Sequence, residues 1–219
     1  MALPGTTDGV SMRVGSTFTS HLMSPIITLH VGQEQVQFHV HEDTICTLPF
    51  FRAALQGQFR EASEKAIKMP DDDPSGVSAM IQFLYMGNYT YAYDPTSVEP
   101  PQGSETPAVD LAEGRYHLGV YVVASKYDCS KLSEMAVANF KSVANEIDTI
   151  NTLRLWKAAY AEDLHLPRSR QEFAESCCGE GIASWVTGLF EEHCEELDET
   201  IVDCPQLASD LLRIATIGK

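Results

Sequence analysis

From Ile26 onward, apolar and polar residues alternate. Ile27, Leu29 and Val31 fall on one side of a first extended run, and Val36, Phe38 and Val40 on one side of a second. Gly32 opens the short stretch between them. A period of two on both sides of a tight turn predicts a half-buried hairpin. The period turns helical over Leu48 to Leu55, returns to strand at Ala66 to Met69, and is helical again from Val77. There Val77, Met80, Ile81, Leu84 and Tyr85 recur at i, i+3, i+4, i+7 and i+8, an apolar stripe along one helix. Asp73-Pro74 supplies an N-cap followed by a proline at the first helical position. Hairpin, helices, strand and helix, in that order, predict an α+β core between Ile26 and Tyr93.

The remainder reads as helix and loop. Residues Met1 to Met23 are rich in Gly, Ser and Thr with little to bury, which predicts a flexible tail. Asp94 to Val109 holds four prolines and no apolar period, which predicts an exposed insert; its Thr106-Pro107 is a common dipeptide that needs no role. Beyond it, Leu111, Arg115, Leu118 and Val122 trace one helical ridge, and Leu132, Met135, Ala136 and Phe140 another. A third helix is expected from Thr149 to Tyr160, with Ile150, Leu153 and Trp156 on one side. Pro167 interrupts the chain before a long segment from Ser169 to Leu197, and Asp203-Cys204-Pro205 opens a last helix striped by Leu207, Leu211 and Ile214. The expected domains are a tail at 1–23, a core domain at 24–145 and a helical C-terminal extension at 146–219.

A series of short words within the core resembles a BTB/POZ domain. Phe38-His39-Val40-His41 leaves the second strand, and Phe50-Phe51-Arg52-Ala53-Ala54-Leu55 forms the next helix. Gly57-Gln58-Phe59-Arg60-Glu61 follows, then Asp72-Asp73-Pro74 before a helix that ends in Phe83-Leu84-Tyr85-Met86-Gly87-Asn88-Tyr89. No single word is specific; their order over Ile26 to Tyr93 is. A fainter likeness through Tyr121 to Phe140 matches the helical pair that closes such domains. The layout is similar to short BTB chains of fungal type. The resemblance implies a BTB/POZ fold, a small mixed sheet with a cluster of helices, followed here by an all-helical extension.

The same resemblance implies a job in protein–protein interaction. In BTB adaptors that recruit a cullin scaffold for a ubiquitin ligase, a hydrophobic-x-acidic triplet occupies the loop after this helix; the matching residues here are Phe59, Arg60 and Glu61. One apolar anchor beside a charged neighbour suits a small interface that concentrates its energy. The bland alternative is that Phe59 tucks back over the core and Glu61 is solvated. No kelch or MATH module that would hold a target is recognisable, so a self-associating scaffold in transcriptional or other regulatory complexes stays open beside the adaptor. Many family members carry an aspartate before the first strand and an amphipathic helix that swaps between partners. Pro25 stands at the first place and Met1 to Met23 shows no helical period, which leaves a homodimer open and argues against a swapped one.

Composition removes several classes. The 219 residues are 44% hydrophobic, enough to bury a core, and carry a formal charge of −16. An acidic chain is a poor partner for nucleic acid, where Lys and Arg must neutralise phosphates. No run approaches the roughly eighteen apolar residues of a membrane span, and the N-terminus lacks a basic start with an apolar stretch. Cys46, Cys129, Cys177, Cys178, Cys194 and Cys204, two of them adjacent, point to reduced thiols in the cytoplasm or nucleus.

Candidate chemistry is sparse. No paired C-x2-C ligand spacing appears; His193-Cys194 with Cys204 is the nearest approach to a metal set, set against cysteines that pack as small hydrophobes. His39 and His41, two apart on a strand, could share a metal or a proton, but polar histidines at a strand end are commoner. G-x-S-x-G, a phosphate-binding glycine loop and H-E-x-x-H are all missing. The acidic run Glu191 to Glu199 reads either as a docking patch for a basic partner or as a solvated helix face. The expectation is a non-catalytic module without cofactor or metal, bound to protein partners and not to nucleic acid or membrane.

Overall fold

The computed structural model describes residues 17–92, 108–147, 149–160 and 194–209. A one-turn helix α1 (Thr17–His21) precedes strand β1 (Ile26–Val31), which pairs antiparallel with β2 (Val36–His41) in the register Ile27↔Val40, Leu29↔Phe38 and Val31↔Val36. The alternating residues thus share one face, as the pattern predicts. The reversal needs two left-handed residues, Gly32 at φ +73° and Gln35 at φ +53°, closed by the Gln35 N–H donating to the Gly32 carbonyl at 3.1 Å. Gly32 suits its place twice over, because a Cβ there would also sit 3.3 Å from the Pro74 ring.

Helices α2 (Glu42–Ile45), α3 (Pro49–Gln56) and α4 (Arg60–Glu64) carry the chain across to β3 (Ala66–Met69). That strand lies parallel to β1, with Leu29 opposite Ile67 and Val31 opposite Met69, so the sheet order is β2-β1-β3. Helix α5 (Pro74–Met86) begins where Asp73 accepts a hydrogen bond from the Gly76 N–H at 3.0 Å. It ends at Gly87, φ +74°, whose N–H returns to the Phe83 carbonyl. Helices α6 (Ala108–Lys126), α7 (Ser130–Glu146), α8 (Thr149–Tyr160) and α9 (Cys194–Asp203) follow. The fold is α+β: a small three-stranded sheet with a cluster of helices, compatible with the BTB/POZ arrangement.

Three expectations need adjustment. The tail predicted through Met23 ends in ordered structure: α1 forms, the Met23 N–H reaches the Ser20 carbonyl, and Ser24 Oγ accepts the Asp43 N–H at 3.0 Å, anchoring the turn to α2. The ridge assigned to α6 is too narrow. Arg115 is exposed, whereas Gly114, His117, Leu118, Val120, Tyr121, Val123 and Ala124 are all buried. The reason is that α6 packs against α5, α7 and α8 at once, so burial runs most of the way round it. Finally, the segment after Asp203 does turn helical at 205–209 with Leu207 buried, but it follows the separate helix α9 across a break at Cys204. The insert up to residue 107, the segment 161–193, and Leu211 and Ile214 lie outside the described residues.

One core joins the sheet to α2, α3, α5, α6, α7 and α8. The sheet contributes Ile27, Leu29, Val31, Val40 and Ile67; the helices add Phe51, Val77, Met80, Leu118, Leu132, Phe140, Leu155 and Trp156. Phe140 and Trp156 meet edge to face with centroids 5.9 Å apart, which ties α8 to α7. Among the described residues, one charged side chain is buried in this core. Asp72, 6% exposed, takes Lys126 Nζ at 2.9 and 2.8 Å on its two oxygens and the Tyr127 hydroxyl at 2.7 Å. The turn leading into α5 is thereby fastened to the end of α6.

Helices α5 and α6 cross closely because Gly76 has no side chain. A Cβ there would lie 2.8 Å from Val123 Cγ2 and 3.0 Å from the Gly119 carbonyl oxygen, and the latter, being backbone, cannot swing aside. Gly76→Ala should therefore destabilise the protein despite alanine's better helix propensity, by about 1–2 kcal/mol in urea unfolding. An unchanged midpoint would mean that the two helices have room to part.

Candidate docking loop and the titratable groups around it

The loop between α3 and α4 is held at both ends. Behind it, Arg52 reaches back to cap α2, its Nε donating to the Cys46 carbonyl at 2.8 Å and a terminal nitrogen to the Thr47 carbonyl at 3.4 Å. Ahead of it, Lys65 takes the left-handed conformation, φ +51°, that stops α4. Its carbonyl accepts the Thr28 N–H of β1, and its Nζ meets Glu42 Oε2 at 2.8 Å. The loop is thus clamped to the sheet on one side and to α2 on the other.

Between those clamps the chain presents the three residues singled out in the sequence. Phe59 stands at the N-cap of α4 and is 63% exposed, not tucked over the core. Its ring lies across Gly57: a Cβ on that glycine would fall 2.7 Å from Phe59 Cδ2 and 2.9 Å from the Ala53 carbonyl. The glycine is a seat for the aromatic ring. Arg60 is exposed and pairs with Glu64 one turn on, at 3.1 Å, an exposed pair that contributes little to stability. Glu61, in the first turn of α4, is half-buried. The arrangement offers an apolar projection with a carboxylate beside it.

A second exposed aromatic went unnoticed in the sequence. Phe50, the second residue of α3, is 51% exposed and meets Phe51 edge to face and Tyr127 at a tilt, with ring centroids 5.1 Å apart in both pairs. The helical period marks Phe51 and Leu55 as the inward positions, and by that criterion Phe50 could have been assigned outward.

The histidines first considered for chemistry serve the framework. His39 is exposed, with Nδ1 3.3 Å from Thr28 Oγ1 across the hairpin. His41 joins β2 to α5: its backbone N–H donates to the Tyr85 hydroxyl at 2.9 Å, and its Nδ1 lies 2.7 Å from the same oxygen. Neither sits with a carboxylate or thiol partner. Cys46 and Cys129 are buried free thiols whose pKa burial pushes up, the opposite of what a reactive thiolate needs. Among the described residues no three His, Cys, Asp or Glu side chains are placed to hold a metal ion, and no helix is long and apolar enough to cross a membrane. His193 and Cys177-Cys178 lie outside the described residues, as do Glu191 and Glu192 of the acidic run. Glu195, Asp198 and Glu199 of that run are exposed on α9.

The most perturbed histidine carried no signal in the sequence. His117 is 4% exposed on α6, with the Tyr89 hydroxyl 2.9 Å from Nδ1 and the Glu113 carboxylate 3.5 Å from Nε2. A neutral ring protonated at Nε2 satisfies both neighbours. Burial holds its pKa down to about 4, outweighing the attraction of the half-exposed Glu113. Tyr89 is pushed up by the same burial.

No family model matches the chain. It is similar to kelch-like protein 8 of Mus musculus, at 23% identity in an alignment 214 positions long that covers 85% of this chain and 32% of that protein. The chain therefore spans about a third of the length of this curated relative. The aligned share extends past the sheet and its helices into the C-terminal region.

The His117 environment sets a pH dependence. Its folded pKa lies below the ordinary histidine value of about 6.5, so its contribution is fully present above that pH and is lost as pH falls toward 4, where the unfolded chain binds the extra proton. Up to about 3 kcal/mol should disappear across this window. Chemical denaturation at pH 7 and pH 4.5 should show the loss in wild type and a clearly smaller one in His117→Gln. Equal losses in both would assign the acid sensitivity to other groups.

Proposed function

We propose that this protein is a non-catalytic protein–protein interaction module that uses the loop at Phe59, Arg60 and Glu61 as its docking element, and that its partner is a cullin-type ubiquitin ligase scaffold. The observation that carries this reading is the exposed Phe59 ring, seated on Gly57 and flanked by Glu61, in a loop fixed at both ends. An aromatic side chain left 63% exposed on a rigid seat loses little conformational freedom on entering a partner's pocket, which is what makes a small anchor effective. The resemblance to BTB adaptors supports this reading, because the triplet matches the loop such adaptors use. The likeness to a kelch-like protein supports the same reading. Buried free thiols at Cys46 and Cys129 suit work in the cytoplasm or nucleus.

The absence of catalysis belongs to this proposal and has physical support. The most strongly shifted groups among the described residues, His117, Tyr89 and Tyr127, are buried and packed against one another or against Asp72.

The test is a titration of the purified chain against the N-terminal region of a cullin scaffold. Saturable binding is expected, with Phe59→Ala weakening it by at least tenfold, about 1.4 kcal/mol or more. Gly57→Ala, which pushes the ring off its seat, should weaken it by less, and Glu61→Ala should lie between wild type and Phe59→Ala. Absence of binding by the folded wild-type chain would remove the scaffold as partner. Binding that survives Phe59→Ala unchanged would move the interface elsewhere.

A further inference from the structure

We infer that Ser63 is a phosphorylation site that switches the docking loop off: a serine kinase that selects arginine three residues before its target modifies the Ser63 hydroxyl, and the added charge opens α4. This regulation rests on the docking role proposed above for Phe59, Arg60 and Glu61. Sequence and exposure both single out Ser63. Among the described residues it is the one serine or threonine with an arginine three positions earlier. Ser63 is exposed, and so is Arg60, whose side chain is 70% accessible. The pairing of Arg60 with Glu64 at 3.1 Å is a surface contact that is easily given up. The Ser63 hydroxyl donates within its own turn, to the Arg60 carbonyl at 2.8 Å.

A kinase reads its target in extended form, so the acceptor must sit where the chain opens cheaply. Helix α4 meets that condition. Its five residues bury no side chain, no side-chain cap closes its start at Phe59, and the left-handed Lys65 ends it. A single turn is barely stable by itself, and one without buried side chains opens at low cost while the sheet and the long helices stay closed. Lys65 remains fixed on Glu42 and β1, and Gly57 lets the other end of the segment turn outward.

In the transfer, the γ-phosphoryl group of ATP forms a bond to Ser63 Oγ as its bond to the β-phosphate oxygen breaks. ADP leaves, and the hydroxyl proton passes to a base of the kinase. The product does not suit the turn it stands in. Phosphoserine carries about −1.5 to −2 charges near neutral pH. Here that charge stands beside Glu64 and two residues from Glu61, in the last turn of a helix, where the carbonyl ends already make the field negative. Arg60 is the one cation in α4. If it swings to the phosphate it leaves Glu64 unpaired, and if it stays with Glu64 it leaves the phosphate unpaired. In both cases α4 unwinds, Glu61 leaves its half-buried place, and Phe59 at the N-cap loses its fixed setting.

The test treats the full chain with ATP and a purified serine kinase of Arg-x-x-Ser specificity. Mass spectrometry should place a phosphate on Ser63, at a rate cut by about tenfold or more in Arg60→Gln. In the phosphorylated chain, backbone carbon shifts of residues 60–64 should move from helical toward coil values while those of the sheet stay unchanged. Its affinity for the N-terminal region of a cullin scaffold should fall by about tenfold or more. Ser63→Ala, which loses the hydroxyl without adding charge, should bind within about twofold of wild type. A Ser63 left unmodified in the folded chain would overturn the inference, and so would a phosphorylated chain that binds as the unmodified one does. Should the unmodified chain fail to bind the scaffold, the proposed docking partner falls, and the shifts of α4 decide the switch without it: coil values after phosphorylation support it, and helical values overturn it.

Discussion

The buried carboxylate of Asp72 fastens the sheet and α5 to the end of α6. Asp72 lies at the turn between the last strand and α5, and Lys126 and Tyr127 lie at the far end of α6, more than fifty residues along the chain. A carboxylate at this depth is tolerable only because each oxygen has donors and a cation stands next to it; without them, desolvation would outweigh anything the turn contributes. Once satisfied, it fixes where α6 ends relative to the sheet. The close crossing at Gly76 and the stack of Phe50, Phe51 and Tyr127 both depend on that alignment. The pair is thus more a device of position than a source of net stability.

The local half of the fold was readable and the non-local half was not. Alternation at Ile27 to Val31 and Val36 to Val40 yields the hairpin and its register, because a half-buried strand exposes its period directly. The Asp73-Pro74 signal marks the start of α5 to the residue, because capping is a local hydrogen bond. By contrast, nothing in Ala66 to Met69 says that it pairs parallel with β1, since strand order is decided by the packing of the crossover. The same holds for α6. A helix packed on three sides has no single apolar stripe, so a search for a ridge selected Arg115 and passed over His117 and Tyr121.

The site divides along the same line. The triplet Phe59-Arg60-Glu61 could be singled out through a resemblance between short words, and its exposure is a fact of the structure alone. Gly57 as a seat for the ring, and Lys65 and Glu42 as a clamp, require tertiary contacts that no window of sequence contains. The role of His41 was ambiguous for a similar reason: two histidines on one strand suggest chemistry until Tyr85, forty-four residues away, accounts for one of them.

The docking loop also lies inside the crossover that carries the chain from β2 to β3, yet it contributes no residue to the sheet itself. Its two flanks, Arg52 on the Cys46 and Thr47 carbonyls just after α2 and Lys65 on Glu42 and β1, fix the ends of the connection independently of what lies between them. Because lengthening such a span costs only about 0.6 kcal/mol for each doubling, the stretch around Gly57 and Phe59 can change length and composition with little effect on folding. The segment proposed to meet a partner is therefore free to diversify while the scaffold beneath it stays as it is, and new binding preferences could arise in this architecture without passing through poorly folded intermediates.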